Sequence, residues 1–466
     1  MRQGTKPLPA EAPRGLWGRA TAPRQRRAGL LAAVGIAVYV LTSCRTAPVP
    51  RAGILGPNSS QPLPGVASGR ERAWGASGAV LAPEPSVRVG ILPDSLRVSI
   101  GAASGVVVFP IGVDGALDGP GYKLARATFL PSGGRAESQR QGIPVFSIEP
   151  SPGSPSGRLR LLEAEVELRS ARVAPAAGPA EVLSAGATAY RGYFEVSATA
   201  ETLRVVNVVN IEDYVRGVVP NEFSLALPAL EAVKAQAVAV RTYALNHRAE
   251  SASRPYDLCA TSACQVYRGK SSEHPLADRA VEETRGLLLE YHGAPIEALY
   301  TSACGGHTED AENIFAGERA RPYLRGVACA PHARARKWQV RMTPGEVVRA
   351  VRRYGPLGDV RDVQVRRVGT SGRVLELAVI GGRDREELVL KGLEVRSGLG
   401  LKESLFVMDR ETDAVGSVLR FVFTGKGWGH GVGLCQAGAF GMARAGASFA
   451  QILRHYYTGV TLEKAY

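Results

Sequence analysis

The chain has 466 residues, of which 45% are apolar, and a formal net charge of +14 at neutral pH. This length is sufficient for two or three domains, and this share of apolar residues fills substantial cores, which excludes a chain without a folded core. A basic balance of this kind favours an acidic partner, such as nucleic acid, an anionic membrane surface or an acidic polymer.

The first 44 residues predict export. Arg24, Arg26 and Arg27 precede an apolar run from Ala28 to Leu41, and small residues close the segment before Cys44. A basic region followed by a short apolar region is typical of a secretory signal and is too short for a stable anchor helix. The L-T-S-C ending resembles the lipobox of bacterial lipoproteins, which implies cleavage before Cys44 and lipidation of its thiol. A plain signal peptide, or an uncleaved anchor with an incidental cysteine, is the alternative.

Export changes the interpretation of the charge. Residues 1–44 carry seven Lys or Arg and one Glu, so the remainder keeps a net charge of +8. An exported chain rarely meets nucleic acid, so we expect no nucleic-acid partner and favour an acidic cell-wall polymer or an anionic membrane surface. We therefore predict a membrane-anchored lipoprotein that faces the periplasm or the cell wall.

Composition divides the rest of the chain into three parts. Residues 45–85 are rich in Pro, Gly, Ser and Ala, which predicts a flexible tether. Residues 86–202 contain short β-like runs separated by turn residues, which predicts a small β-rich domain. That domain carries no constellation of catalytic residue types, so it is a scaffold or a binding module. Residues 203–466 predict an α+β domain that carries the chemistry, and the chain as a whole is predicted to be α+β.

The strongest predicted helix runs from Leu227 to about Arg248, with Pro228 in its first turn. Lys234 and Arg241 stand seven residues apart within it, so both cations share one face. Three further elements are predicted downstream: a helix over Pro275–Arg285, a hairpin of Leu287–Tyr291 and Pro295–Ser302, and a last helix with a capping box of Ser448 and Gln451.

Glu222 is the first candidate for chemistry. We predict that it lies on a proline-containing loop that opens the long helix. Cleavage of a glycosidic bond needs a carboxylic acid that stays protonated near neutral pH, and Val218, Val219, Pro220 and Phe223 offer apolar surroundings that raise such a pKa. The alternative is an exposed loop glutamate, favoured near a helix start by the helix dipole.

Three segments around this glutamate resemble the SpoIID/LytB family, whose members act on bacterial peptidoglycan. I-E-D-Y (211–214), V-V-P-N-E (218–222) and the helix at 231–243 are similar to its E-D-Y turn, V-V-P-S-E loop and K-A-Q-A-x-A-x-R-T-Y helix. The resemblance implies that Glu222 is the catalytic acid and that Lys234 and Arg241 are cations of the substrate cleft. Asn221 and Phe223 replace the usual serine and methionine, and neither change removes an acid or a cation.

Two later segments carry the same resemblance. Y-T-S-A-C-G-G-H-T (300–308) is similar to a family motif that lines the glycan cleft, and G-W-G-H-G-V-G-L-C-Q (427–436) is similar to the G-W-G-H-G-V-G-M-S-Q signature. The second segment lacks the Gly-Lys-Ser/Thr ending of a phosphate loop. His430 is expected either to hydrogen-bond Glu222 or the sugar, or to be a buried structural residue. The resemblance implies these substrate-binding residues: Tyr300, Ser302, Gly305, Gly306, His307, Thr308, His430 and Gln436.

Two cysteines, Cys259 and Cys264, stand where some family members bind zinc through two Cys and two His. Here Ala263 and Ser253 occupy places where His ligands can stand, so half of the ligands are missing. A local disulfide between Cys259 and Cys264 is the favoured interpretation.

The remaining cysteines leave a second metal hypothesis open. Cys304-x-x-His307 and Cys329-x-x-His332 form a Cys₂His₂ set of plausible spacing for zinc. In an exported protein a Cys304–Cys329 disulfide explains the same cysteines more simply, and we favour it. No cofactor is required by the predicted reaction.

The function implied by the resemblance is a lytic transglycosylase that cleaves between N-acetylmuramic acid and N-acetylglucosamine, preferably in strands stripped of stem peptides. One acid suffices if the 6-hydroxyl of the sugar is the nucleophile, whereas ordinary glycosidases need a second carboxylate; Asp213 and Glu309 are the remaining candidates for such a group. The alternative is a non-catalytic glycan-binding module that enhances a cell-wall amidase. A zinc hydrolase, which rests on the cysteine–histidine pairs alone, is a third hypothesis.

Overall fold

The computed structural model describes residues 82–112, 115–119, 121–132, 158–162, 164–198, 202–226, 229–251, 254–315, 319–329, 336–381 and 386–466. The predicted signal peptide with Cys44, nearly all of the predicted tether, Pro228 and His332 lie outside these residues. Within them helices and sheets are mixed, so the predicted α+β class is confirmed.

The largest sheet contains eleven strands of the described part of the chain. They are β1 (Ser86–Ser95), β2 (Val98–Ile111), β3 (Tyr122–Ser132), β4 (Arg158–Leu161), β5 (Val166–Leu168), β6 (Ser170–Pro175), β7 (Leu183–Ala185), β8 (Thr188–Tyr190), β9 (Tyr193–Ala198), β10 (Leu203–Asn210) and β11 (Leu258–Cys259). Nine of them follow the order β11-β1-β10-β9-β6-β2-β3-β4-β5, while β7 pairs with β2 and β8. Only the β1–β11 pair is parallel among these strands.

Strand β10 connects this sheet to the helical part of the molecule. Its sequence L-R-V-V-N-V-V-N is apolar on both faces, and its interior residues are buried. It pairs with β1 and β9, so the sheet crosses the predicted boundary between residues 202 and 203. The division into two domains at this point stays a prediction.

Eight α-helices follow within the described residues. They are α1 (Ile211–Glu222), α2 (Leu230–Glu250), α3 (Pro275–Glu283), α4 (Ala311–Ile314), α5 (Pro344–Val351), α6 (Leu393–Gly398), α7 (Gln436–Arg444) and α8 (Phe449–Tyr456). Helix α2 is the predicted long helix, and it packs against α1, α3, α7 and α8. The Ser448–Gln451 capping box at the start of α8 is confirmed. None of the helices in the described ranges has the length and hydropathy needed to cross a bilayer.

Smaller sheets complete the fold. Their strands are β12 (Leu287–Tyr291), β13 (Ala294–Pro295), β14 (Tyr300–Thr301), β15 (Lys337–Met342), β16 (Asp362–Val368), β17 (Val374–Ile380), β18 (Glu387–Lys391), β19 (Phe406–Thr412), β20 (Val418–Lys426), β21 (Leu434–Cys435) and β22 (Thr461–Lys464). The predicted hairpin is β12–β13, although its second strand has only two residues. Sheets β15-β20-β19 and β16-β17-β18 enclose a second apolar core with α5 and α6.

The pairing of β14 with β21 sets the position of the site. The two strands are parallel, with Tyr300 opposite Leu434 and Thr301 opposite Cys435. This pairing joins two motifs that are more than 120 residues apart in the sequence. The second of these motifs leads directly into a helix, because β21 ends at Cys435 and α7 begins at Gln436.

Candidate active site

Glu222 is the last residue of helix α1 and not, as predicted, part of a loop that opens the long helix. The side chain of Asn210 caps the start of α1 by accepting the N–H of Glu212 at 2.8 Å. Pro220 is accommodated inside the helix, which ends when the N–H of Phe223 donates to the carbonyl of Val219 at 2.9 Å. The C-terminal end of a helix is an unfavourable place for a carboxylate because the helix dipole repels negative charge there.

The surroundings of Glu222 favour its protonated form. Burial raises the pKa of Glu222, whereas the backbone N–H of Val266, which donates to Oε1 at 2.6 Å, lowers it; the net change is upward. One hydrogen bond leaves most of the acceptor positions of the two carboxylate oxygens without a donor. The Glu222 carboxyl therefore keeps a proton at a higher pH than an ordinary glutamate.

Glu222 lies at a cleft of about 770 Å³. The lining residues are Glu222, Phe223, Ser224, Ala226, Ser302, Arg336, Gln436, Ala437, Phe440, Gly441, Arg444 and Ala445. Three predicted site residues meet here, Glu222, Ser302 and Gln436, from three separate segments. Glu222 is the single carboxylate among the described lining residues, and the cations are Arg336 and Arg444.

Backbone hydrogen bonds hold the cleft wall together. The N–H of Ala437 donates to the carbonyl of Ser302 at 3.1 Å, and the N–H of Gly431 donates to the hydroxyl of Thr301 at 3.1 Å. The side chain of Gln436 donates to Gln236 of α2 at 3.4 Å, so the same wall is tied to the long helix. These contacts give the cleft a fixed edge opposite the acid.

His430 is a structural residue in this arrangement. Its Nδ1 accepts the N–H of Val432 at 3.1 Å, so Nε2 carries the hydrogen that is donated to the carbonyl of Tyr300 at 2.9 Å. Burial lowers the pKa of His430 to about 4, and the ring is therefore neutral. Both ring nitrogens are used in backbone hydrogen bonds, one within the motif and one to the strand of Tyr300, and of the two interpretations the structural histidine is the one that this geometry matches.

Tyr300 lies close to the acid. Its hydroxyl is buried and has no hydrogen-bond partner of ordinary geometry among the described residues. Burial raises the pKa of Tyr300, and the neighbouring carboxyl of Glu222 raises it further. The adjacent Gln265 lowers the pKa of Tyr300, but its contacts of ordinary geometry are with others: it accepts from the Tyr214 hydroxyl at 3.0 Å and donates to the carbonyl of Val240 at 3.5 Å. The Tyr300 hydroxyl is thus available to a ligand or to Glu222.

The two cations predicted on the long helix are engaged away from the cleft. Arg241 is completely buried, and its guanidinium donates to both oxygens of Glu212 at 2.8 and 2.6 Å. Lys234 pairs with Glu231 at 2.8 Å and with Glu283 at 2.5 Å. The structure gives Arg241 a core ion pair, and neither residue is among the residues that line the cleft, so their role in substrate binding stays a prediction.

The Gly-Gly turn and the two residues after it also lie outside the cleft lining. Gly305 has φ +77°, a backbone conformation that favours glycine, and a Cβ there would also press on the side chain of Leu405; Gly306 completes the turn. Thr308 is buried and accepts the N–H of Val327 at 2.8 Å, while His307 Nδ1 lies 2.6 Å from the carbonyl of Thr308. Their contacts are those of a structural turn.

The two carboxylates considered as a second catalytic group are engaged elsewhere. Asp213 pairs with Arg216 at 2.9 Å. Glu309 accepts from Asn313 at 2.9 Å and from Ser371, and these hydrogen bonds keep the pKa of Glu309 low in spite of its burial. Neither lines the cleft.

The cysteines follow the prediction in one place and depart from it in another. Cys259 and Cys264 form the predicted local disulfide. The favoured Cys304–Cys329 disulfide is not formed, because both residues are thiols, and Cys435 lies with them. Of the Cys₂His₂ set, His307 is engaged with its neighbouring carbonyl and is not part of the cysteine cluster.

Three residues of this region were missed by sequence reasoning: Arg336, Arg444 and Cys435 in the thiol cluster. Arg444 stands four residues after Phe440 on α7, a spacing that places both on one helix face and offered a usable signal. Arg336 carried no such signal, since only the tertiary fold brings it within 5.8 Å of the Trp428 ring and to the cleft.

A desolvated carboxylic acid at the edge of a cleft defines a site suited to general acid–base chemistry. Comparison with known proteins agrees with the motifs. The family model SpoIID, described as stage II sporulation protein, matches residues 199–291, and a domain of unknown function (DUF8618) matches residues 311–433.

Three relatives are similar to somewhat more than half of the chain. An uncharacterized protein of Brachyspira hyodysenteriae is 36% identical over 56% of this chain and 69% of its own length. Stage II sporulation protein D of Bacillus amyloliquefaciens is 34% identical over 56% of this chain and 76% of its own length. An amidase enhancer of Bacillus subtilis is 26% identical over 53% of this chain, which covers 40% of that protein. The chain belongs to the SpoIID family.

Proposed function

We propose that this protein is a lytic transglycosylase that cleaves the bond between N-acetylmuramic acid and N-acetylglucosamine in peptidoglycan, preferably in strands stripped of stem peptides. The observation that carries the proposal is Glu222, whose raised pKa and position at the cleft suit a general acid. Membership of the SpoIID family, and the motifs that the family shares with this chain, support it.

In the first step Glu222 donates its proton to the glycosidic oxygen. The bond between that oxygen and C1 of muramic acid breaks, and positive charge develops on the ring as in other glycosidic cleavages. Burial helps this step because it keeps the carboxyl protonated until the leaving oxygen needs the proton.

In the second step the Glu222 carboxylate accepts the proton of the sugar's own 6-hydroxyl. The 6-oxygen bonds to C1, which closes a 1,6-anhydro ring and returns Glu222 to its acid form, with no water consumed. An internal nucleophile is already held near C1 by its own ring. This explains why the described cleft lining needs one carboxylate, whereas hydrolytic glycosidases use two.

Arg336 and Arg444 are the groups that we assign to substrate positioning. Both line the cleft, and neither has a carboxylate partner among the described residues. Muramic acid that has lost its stem peptide exposes a lactyl carboxylate, and a guanidinium binds such a group through charge-assisted hydrogen bonds. This charge match accounts for the proposed preference for stripped strands.

The proposed setting is outside the cytoplasm. The N-terminal sequence favours an exported lipoprotein held at a membrane through Cys44. Peptidoglycan is then the partner, a cell-wall amidase supplies stripped strands, and neither nucleic acid nor a cofactor takes part in the reaction.

Product analysis by mass spectrometry tests the proposal. The purified protein and its Glu222→Gln variant are incubated with peptidoglycan, with and without amidase pretreatment. We expect anhydro-muramic ends from the wild type, chiefly on pretreated material, and a rate lower by about 10²–10⁴-fold in the variant, the range typical of a lost general acid. Hydrolysed, non-anhydro ends would contradict the second step, and equal rates would contradict the role of Glu222.

A second function is favoured by the similarity to a protein named amidase enhancer. In that case the chain binds glycan and accelerates an amidase without cutting the strand. Release of stem peptides by a purified amidase, measured with wild type and Glu222→Gln, separates the two. Equal acceleration by both proteins, without anhydro ends from either, supports the enhancer and rules out the transglycosylase.

A further inference from the structure

Three cysteines from distant segments converge beside the cleft. Cys304 follows β14, Cys329 lies in the segment that precedes β15, and Cys435 ends β21. Their sulfur atoms all lie within 4.8 Å of one another. Cys304 and Cys435 are fully buried and Cys329 is half-buried. The structure thus brings together three thiols that neither the spacing nor the motifs predicted as a group.

Two backbone N–H groups contact the sulfur of Cys435. The N–H of Cys304 donates to Cys435 Sγ at 3.3 Å, and the N–H of Gly438 donates to it at 3.4 Å. Cys435 is the N-cap of the nine-residue helix α7, so the helix dipole also favours negative charge on this sulfur. These donors partly offset the neighbouring thiols Cys304 and Cys329 and the burial, which together raise the pKa of Cys435, and they remain in place for a thiolate once a metal ion displaces the proton.

The first turn of α7 is built closely around the cluster. A Cβ at Gly438 would collide with the Tyr456 hydroxyl and with Cys329 Sγ, so no larger residue fits there. The Tyr456 hydroxyl lies 3.2 Å from Cys329 Sγ on the other side. The half-buried Cys329 leaves the cluster reachable from solvent, which gives an ion a way in.

We propose that Cys304, Cys329 and Cys435 form a binding site for one soft metal ion, Zn²⁺ or Cu⁺, held by three thiolates. Thiolate ligands select these ions over hard cations such as Mg²⁺ and Ca²⁺. With Zn–S bonds of about 2.3 Å, three sulfurs in a plane around one ion stand about 4 Å apart, within the separation seen here. Binding exchanges the three thiol protons for the ion and releases them to solvent.

The number of thiols distinguishes this site from a disulfide. A disulfide uses two sulfurs and leaves the third buried beside it with no covalent partner, whereas an ion engages all three. The site also has a structural consequence, since Ser302 precedes Cys304 by two residues and Gln436 follows Cys435 directly. An ion would therefore tie together the two segments that form the cleft wall.

Metal uptake by the purified full-length protein tests the proposal. The protein is treated with a thiol-free reductant, loaded separately with Zn²⁺ and with Cu⁺, desalted and analysed by elemental mass spectrometry and by its melting temperature. We expect about one tightly bound ion per chain and a higher melting temperature with the metal, since a ligand that binds the folded state stabilises it.

Three variants make the result specific. Cys435→Ser and Cys329→Ser should each lose the bound ion and the metal-induced rise in melting temperature. The matched control, Cys259→Ser with Cys264→Ser, removes the other two described cysteines and should keep both. Co²⁺ loading gives an independent reading, because a thiolate–cobalt absorption band should appear in the wild type and the control alone.

Two outcomes overturn the site. One is equal metal content in wild type and Cys435→Ser. The other is a disulfide between two of the three cysteines, mapped by mass spectrometry in the untreated protein, with no metal uptake after its reduction. Glu222→Gln should bind metal like the wild type, so that failure of the catalytic proposal and failure of the metal site are seen separately.

Discussion

Helix α1 carries two glutamates with opposite environments. Glu212, in its first turn, is completely buried and receives two hydrogen bonds from Arg241, one from the N–H of Gly286 at 3.0 Å and one from the Tyr466 hydroxyl at 2.8 Å. Glu222, at the other end, faces the cleft and receives one, from the N–H of Val266. The two residues have the same chemistry and are ten positions apart on one helix.

The comparison shows how the fold separates a structural acid from a reactive one. A carboxylate whose lone pairs are saturated by donors and by a cation has no capacity left for a substrate. A carboxylate that is desolvated but poorly supplied with donors holds its proton more strongly and can transfer it. The donors around each group, rather than burial by itself, decide which case applies.

Removing Arg241, the cation that pairs with Glu212, should have the largest effect on stability. Arg241→Met leaves the Glu212 carboxylate buried without its ion partner, and we expect a loss of about 3–5 kcal/mol in the free energy of unfolding. Urea unfolding measures it. Lys234→Gln, which removes an ion pair nearer the surface, is the matched control and should cost about 0–1 kcal/mol; equal losses would show that Arg241 is not the structural cation of the pair.

The cations at the cleft should act on binding and not on folding. Arg444→Gln or Arg336→Gln is expected to raise KM for stripped strands by about 10-fold, since a charge-assisted hydrogen bond contributes about 1.5–3 kcal/mol when formed. Steady-state release of anhydro ends measures the change. Lys234→Gln should leave KM unchanged, because its amine is paired with Glu231 and Glu283; the reverse pattern would assign substrate binding to Lys234.

The unpartnered hydroxyl near the acid gives a third contrast. Tyr300→Phe removes a buried group without a hydrogen-bond partner of ordinary geometry, so we expect a gain of about 1 kcal/mol in stability together with a lower rate of cleavage. Tyr214→Phe removes a hydroxyl that is bonded to Gln265 and should lose about 1 kcal/mol instead. Denaturant midpoints of both variants test the prediction, which a loss of stability in Tyr300→Phe would contradict.

The smallest expected effect is the pH dependence of stability that comes from Glu222. Because the pKa of Glu222 is raised in the folded state, its stabilising contribution is complete below the ordinary glutamate pKa and is lost as the pH rises through the folded value. Glu222→Gln should therefore be more stable than the wild type at neutral pH, and the difference should vanish in acid. Melting temperatures measured from acid to neutral pH test this. Glu212→Gln should be less stable than the wild type because it removes the ion pair with Arg241.

Local patterns predicted much of the secondary structure. The helix that became α2, the helix α3 with Pro275 in its first turn, the β12–β13 turn and the capping box of α8 all depend on neighbours within a few residues. Glu222 was located by the motif around it, but its place in α1 was missed because the segment with Pro220 was predicted as a loop that opens the long helix. A proline is tolerated there since the apolar residues of α1 pack into the core.

By itself the sequence determined several of the elements, among them α2, α3 and α8, which family the motifs resemble, and that Glu222 is the acid to test. The tertiary structure alone decided what each of these side chains contacts: Arg241 forms a core ion pair, His430 bonds the carbonyl of Tyr300, Arg336 and Arg444 line the cleft, and Cys435 lies beside two other thiols. The physical reason is the separation along the sequence over which each kind of interaction acts. Helix periodicity and capping act over one or two turns, whereas burial and hydrogen-bond saturation depend on which distant segments the fold brings together.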